Sequence, residues 1–187
     1  MQLRRLAATA AVALAAATSL AACGSGGEEP HAGETEGIYV NTGDLKYQVQ
    51  ISRQLNQADF EDRDYLTGLP TGDRLAIGQE WFGVFIRVFN MTKDAHPAAA
   101  DFKIRDTTGK TYTPVALDTN INRTAYRALT VKGGDQIPLP GSLSRENLTQ
   151  GGLILFKVNS ASYASRPLEL EITPPGGGQE ATIDLDV

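Results

Sequence analysis

The residue types that carry most protein chemistry are scarce in this chain, whose 187 residues include one cysteine and two histidines. Cys23 stands alone, so no disulfide can form, and His31 and His96 cannot assemble a zinc site of nitrogen and sulfur ligands. A Ser-His-Asp arrangement would have to use His96, which adjoins Pro97 without a nucleophile motif and reads as a solvated loop histidine. Gly133-Gly134 and glycines 176–178 lack the helix or Lys-Ser pair of a phosphate loop. The densest oxygen cluster is Asp59, Glu61, Asp62 and Asp64 around Phe60 and Arg63. Carboxylates on a loop suit calcium, but this run lacks the glycine pivot and distal glutamate of a calcium loop, and such a run is ordinarily a solvated face. No cofactor is expected, and no catalytic set.

The position of Cys23 says more than its thiol. Arg4 and Arg5 precede an apolar, alanine-rich stretch from Leu6 to Ala17, in the layout of an export signal. Leu20-Ala21-Ala22-Cys23, followed by Gly24-Ser25-Gly26-Gly27, resembles the lipobox of bacterial lipoproteins. That resemblance implies removal of residues 1–22 after Ala22 and a diacylglyceryl group on the Cys23 sulfur. Each buried methylene contributes about 0.8 kcal/mol, and stable anchoring takes two chains, which such a group supplies. The expected address is the outer face of a bacterial cell membrane, with the membrane itself as the first partner. The Asn-X-Thr sequences at Asn90, Asn122 and Asn147 then carry no weight as glycosylation sites. Arg4-Arg5 does not fix the export route.

The elements that would hold any site come after a spacer. Residues 23–36 are rich in glycine and glutamate with no large apolar side chain, and read as a flexible tether. Residues 37–187 are enough for one domain with its own core. The chain carries a formal charge of −5, which argues against nucleic acid and against anionic headgroups as partners of the domain. Leu45, Tyr47, Val49 and Ile51 alternate with polar residues, which marks a strand buried on one face. Further strands read from 80–90, 101–106, 111–115, 128–131, 152–158, 168–173 and 181–187, with 136–139 as a continuation. Single helical turns fit 142–148 and 160–165. Seven to eight short strands broken by turn residues predict an all-β, two-sheet antiparallel sandwich.

The order of these features resembles a known family. Gly43 to Val49 opens it, Trp81 to Asn90 is an alternating strand ending in asparagine, and Asp101 to Asp106 leads through Gly109-Lys110 to Tyr112. Gly152 to Val158 then precedes Arg166-Pro167-Leu168-Glu169-Leu170. Together they resemble the immunoglobulin-like domain of unknown function found in surface lipoproteins of actinobacterial type, related to the secreted mycobacterial immunogenic antigen. The resemblance spans Gly43 to Thr173 and implies a fold and a location, with no catalytic residues. Its loops 56–79 and 136–151 are longer than the family pattern.

One strand carries a surplus of apolar surface. Phe82, Val84, Ile86 and Val88 suit the sandwich interior, while Trp81, Phe85 and Phe89 fall on the opposite face, which should be polar. Either residues 56–79 cover that face with Phe60, Tyr65, Leu66 and Leu69, which is the favoured reading, or it is an aromatic groove for an envelope protein or a small apolar ligand. The leading functional expectation is a non-enzymatic, membrane-tethered binding module of unknown oligomeric state. Its alternatives are a hydrolase built on loop carboxylates and a passive envelope component.

Overall fold

The computed structural model describes residues 30–187, and strands dominate them. In chain order they are β1 (Ala32–Gly33), β2 (Val40–Thr42), β3 (Leu45–Leu55), β4 (Gln79–Phe89), β5 (His96–Pro97) and β6 (Asp101–Arg105). There follow β7 (Thr111–Tyr112), β8 (Thr130–Val131), β9 (Gln136–Ile137), β10 (Gly152–Asn159), β11 (Leu168–Thr173) and β12 (Ala181–Leu185). Among the described residues helix is confined to α1 (Phe60–Arg63), α2 (Leu143–Glu146) and 3-10 turns at Asp64–Leu66 and Ser160–Ala164. Every strand expected from periodicity has a counterpart. The strands beyond the expected seven to eight include β1, β2 and β5, each too short to show a period of two.

Two sheets face each other. One has the order β1-β12-β11-β6-β7, and the other β10-β4-β3-β2 with β9 on the end of β4. The chain crosses between them from β1 to β2, from β4 to β6, from β7 to β9 and from β10 to β11. Tyr47, Val49, Phe82, Ile86, Phe102, Ile104, Phe156, Leu170 and Ile183 fill the space between the sheets and are buried. The two-residue turn from β2 to β3 has Gly43 at φ +57° and Asp44 at φ +63°. Both left-handed positions match the twist of a tight hairpin, and Asp44 is a residue type that tolerates one.

A bulge in β3 changes which side chains face inward. Val49 pairs with Ile86, but Ile51 pairs with Phe85, so Gln50 is the extra residue. Simple alternation would keep Ile51 on the interior face with Tyr47. Instead Ile51 is exposed, Ser52 turns inward, and Leu55 lies opposite Trp81 on the outer face.

Residues 30–36, expected in the flexible tether, belong to the sandwich. β1 runs parallel to β12, with Ala32 opposite Thr182. The Thr182 N–H donates to the His31 carbonyl at 2.8 Å, and the Asn41 N–H to the Pro30 carbonyl at 3.0 Å. The Glu36 carboxylate accepts from the Ser52 N–H at 3.0 Å and the Asp186 N–H at 3.1 Å. The segment has no large apolar side chain to bury, but backbone pairing to the last strand and two polar anchors hold it.

Candidate functional site

Ala22 and Cys23, the expected cleavage and lipidation residues, lie outside the described residues. The other sequence candidates can be placed.

The acidic cluster is spoken for by local structure. Asp59 caps α1, its Oδ1 accepting from the Glu61 N–H at 2.8 Å. Buried Asp62 accepts from Arg53 Nη2 at 2.5 Å and from the Asn56 N–H at 2.7 Å. Asp59, Glu61 and Asp62 line a polar recess of about 420 Å³ with Arg53 and Tyr65, and Asp64 is not part of it. Among the described residues no three His, Cys, Asp or Glu side chains converge as a metal set. An arginine already neutralises the one buried carboxylate of the run. Calcium at millimolar concentration should produce no heat in calorimetric titration; a saturable signal abolished by Asp59→Asn would restore the site.

The aromatic face is covered. Trp81 and Phe85 are buried with Leu55, Leu66, Leu153 and Leu155, and Tyr65, Leu69, Leu75, Val115 and Leu117 pack onto them. The Tyr65 ring meets Phe85 edge-on at 4.9 Å. Gly83 makes this layer possible, because a Cβ there would come within 3.0 Å of both Leu55 and Leu153 methyls. Trp81 and Phe85 therefore form no open groove. Phe60, expected in the cover, is 79% exposed instead, since α1 turns it away from the sheet. Phe89 lies beyond the cover, half-buried, against Tyr39 at 5.5 Å and under the Arg87 guanidinium at 4.8 Å. His96 is half-buried in β5 with Nδ1 3.5 Å from Asp44 Oδ2, and among the described residues no serine hydroxyl is hydrogen-bonded to it.

Three Asn-X-Thr sequences prove to be loop locks. Asn90 Oδ1 accepts from Thr92 N and Oγ1, while its Nδ2 donates to the carbonyls of Asp94 and Val131. Asn122 repeats the pattern with Thr124, and its Nδ2 donates to the carbonyls of Tyr65 and Thr67. Asn147 Oδ1 accepts from Thr149 Oγ1 at 2.8 Å. Each asparagine closes its own turn, and Asn90 and Asn122 also pin a distant segment.

Asp106 uses the same turn in acidic form. Its Oδ1 accepts from Thr108 Oγ1 at 2.6 Å and from the N–H groups of Thr108 and Lys110, each at 3.0 Å. Its Oδ2 accepts from Ser162 Oγ at 2.7 Å, and that oxygen lies 2.6 Å from Tyr112 Oη. The Thr108 hydroxyl, then that of Ser162, hold the carboxyl down at about 2 from 3.8. Because the folded pKa is depressed, this stabilisation is complete above the unfolded value and is lost as pH falls from 3.8 through about 2. Unfolding measured across that window should show a decline in stability that Asp106→Asn flattens. An equal decline in the variant would clear Asp106 as its source.

Sequence reasoning missed a pair of apolar cavities. One, of about 250 Å³, is lined by Phe102, Val115, Leu117, Ala125, Tyr126 and Leu153. The other, of about 230 Å³, is lined by Ala125, Tyr126, Leu129, Ile137, Leu139 and Leu143, with Arg123, Arg127, Ser142 and Ser144 at its edge. They share Ala125 and Tyr126 as a common wall. Tyr126 is fixed there by its hydroxyl, which donates to the Ala99 carbonyl at 2.8 Å, and by edge contact with Phe102 at 5.3 Å. The Ala99 N–H in turn donates to Tyr47 Oη at 2.8 Å. Burial pushes the Tyr47 hydroxyl up to about 12 and that of Tyr126 well above the ordinary range, so both stay neutral donors or acceptors. Leu129, Leu139 and Leu143, on the second cavity, are 41%, 50% and 50% exposed. They come from three non-periodic segments, so no sequence pattern announces that they converge.

No family model matches the chain, and no curated protein matches it in sequence. Among solved structures it is similar to the YjhA protein of Bacillus subtilis at 10% identity, covering 82% of this chain and 99% of that one with a TM-score of 0.53. An uncharacterised β-sandwich protein of Clostridium difficile 630 matches at 10% identity over 87% of this chain and 99% of that one, with a TM-score of 0.44. YcdA of Bacillus subtilis, named as a candidate lipoprotein, matches at 13% identity over 79% of this chain with a TM-score of 0.46; this chain spans 38% of its length. The likeness to YjhA shows a shared β-sandwich and, at such identity, speaks of no ligand or reaction.

Proposed function

We propose that the chain is a lipid-anchored protein of the bacterial cell envelope, held at the outer membrane face through Cys23, whose immunoglobulin-like sandwich binds a small apolar ligand without catalysis. The anchor and the address are supported by Leu20-Ala21-Ala22-Cys23 and the export signal before it. The immunoglobulin-like reading is supported by the sheet order. β1 pairs parallel with the last strand, β11 lies between β12 and β6, and β10 pairs with β4 in the opposite sheet.

The observation that carries the binding reading is the pair of apolar cavities meeting at Ala125 and Tyr126, with exposed leucines on one of them. Each is smaller than the roughly 300 to 1,000 Å³ of a drug-sized pocket, so the ligand should be slender or occupy both. The Tyr126 hydroxyl of the common wall is already bonded to the Ala99 carbonyl, which suits recognition by shape and apolar contact there.

The test is photo-crosslinking in intact cells with benzoylphenylalanine placed at position 143, and at exposed position 107 as a control. One reproducible small-molecule adduct at 143 alone supports the reading. No adduct, adducts shared with 107, or an adduct only to a protein overturns it.

A further inference from the structure

The cavity bordered by Leu129, Leu139 and Leu143 is apolar on its walls and positively charged at its edge. Arg123 and Arg127 both line it, both are exposed, and the lining holds no carboxylate. In a chain whose formal charge is −5, two cations and no anion around one cavity is a local reversal of sign. Neither guanidinium is neutralised elsewhere: among the described residues no carboxylate lies within 4.0 Å of either, whereas Arg53 and Arg105 each have one. Arg127 donates from Nη2 to the Thr119 carbonyl, a neutral acceptor, which leaves the rest of its fork available.

A buried polar group lines the same cavity. Ser144 is 5% exposed, and among the described residues its hydroxyl has one hydrogen-bonding neighbour, Ser142 Oγ at 3.5 Å. That is longer than the about 2.5–3.0 Å of an ordinary O–H···O bond, and Ser142 Oγ already donates to the Leu139 carbonyl at 2.6 Å. A buried hydroxyl with no close partner is unfavourable until a ligand atom or a water completes it. Charge at the edge and a spare donor in the wall call for the same complement, an anionic acceptor. The walls set the rest of the ligand. Ile137, Leu139, Leu143 and the Tyr126 ring offer apolar contact, and a space of about 230 Å³, below the roughly 300–1,000 Å³ of a drug-sized pocket, suits one alkyl chain rather than a paired-chain lipid.

We propose that the ligand of this cavity is a fatty acid, with its alkyl chain against Leu139, Leu143 and Tyr126 and its carboxylate held by Arg123 and Arg127, the Ser144 hydroxyl serving as a further donor. Arginine forks match the two oxygens of a carboxylate. The assignment rests on the ligand-binding reading of these cavities and adds the charged head to it. A lipid-anchored domain would stand beside the bilayer into which such an acid partitions.

The full chain in phosphatidylcholine nanodiscs, above neutral pH where the acid is ionised, is irradiated with diazirine analogues of hexadecanoic acid and hexadecanol, and adducts are mapped by peptide mass spectrometry. Saturable labelling within residues 137–143 is expected, at a roughly tenfold or more lower concentration for the acid than for the alcohol. Arg123→Gln and Arg127→Gln should each shrink that preference, and the double variant should abolish it. Arg166→Gln, which removes an exposed arginine outside the lining, should leave the preference intact. Because Arg127 also holds the Thr119 carbonyl, Arg123→Gln suffices should Arg127→Gln lower the Tm. Equal labelling by acid and alcohol, or a preference that Arg123→Gln keeps in full, overturns the fatty acid while leaving an apolar ligand in place. Stronger competition by hexadecyl phosphate than by hexadecanoic acid also overturns it, in favour of a phosphate head. No labelling of residues 137–143 by either analogue overturns the fatty acid and the ligand-binding reading together.

Discussion

Replacing Phe85 with alanine should destabilise the domain by about 3–5 kcal/mol, the cost of removing a fully buried aromatic ring from a site that cannot collapse around the void. Phe85 is at 0% exposure, yet it is not in the space between the sheets. It belongs to the second apolar layer with Trp81, Leu55, Leu153 and Leu155, roofed by residues of the segments before β4 and after β7. Those segments contain few paired strands of their own, so their order depends on that roof contact. Urea unfolding should give the full loss for Phe85→Ala, and hydrogen exchange should show residues 60–75 opening first. Phe60→Ala, in the same region but on an exposed ring, should change stability by within about 0.5 kcal/mol. A loss below about 1 kcal/mol for Phe85→Ala would mean that the layer is not a core. Against a total stability of order 5–15 kcal/mol, the expected loss decides whether the folded protein persists.

That second layer also measures how far the sequence can be read. Alternation placed Trp81 and Phe85 opposite Phe82 and Val84, and the surplus of aromatics on one strand required a cover, so the need for the layer was visible. Its membership was not. Leu55 reaches it only because the bulge at Gln50 shifts β3 by one residue, and a bulge leaves no mark on hydrophobic spacing. Val115, read with the 111–115 strand, lies past the end of β7 and joins Leu117 in the layer instead, and Phe60 is lost from it by the turn of one short helix. β1 escaped detection for a related reason: two small residues pair by backbone alone, a bond every sequence can make. The cavity leucines are likewise products of long-range packing. Cys23 sits at the other extreme, since the resemblance of Leu20-Ala21-Ala22-Cys23 to a lipobox is one of sequence and needs no fold to be legible.

Asparagine 122 should prove the most sensitive polar position. Its side chain makes every hydrogen bond it can: Oδ1 accepts from Thr124 N, Thr124 Oγ1 and Ala125 N, and Nδ2 donates to two carbonyls of the covering segment. It is 1% exposed, so none of these partners can turn to water instead. Asn122→Ala should cost about 2–4 kcal/mol by leaving several of them unsatisfied. Asn122→Asp is more informative, because it preserves shape and the three accepted bonds while aiming a charged oxygen at the Tyr65 and Thr67 carbonyls. Burial and that repulsion raise the new carboxyl's folded pKa, so the folded state binds the proton more tightly than the unfolded chain does. The penalty is therefore complete at neutral pH and is relieved as pH falls through the raised folded value, since the protonated acid can donate to one carbonyl. Unfolding of the parent and Asn122→Asp compared at pH 7 and near pH 4.5 should show the gap narrowing on acidification. A gap that stays constant or widens would show that the Nδ2 bonds to Tyr65 and Thr67 do not hold the roof of the second layer in place.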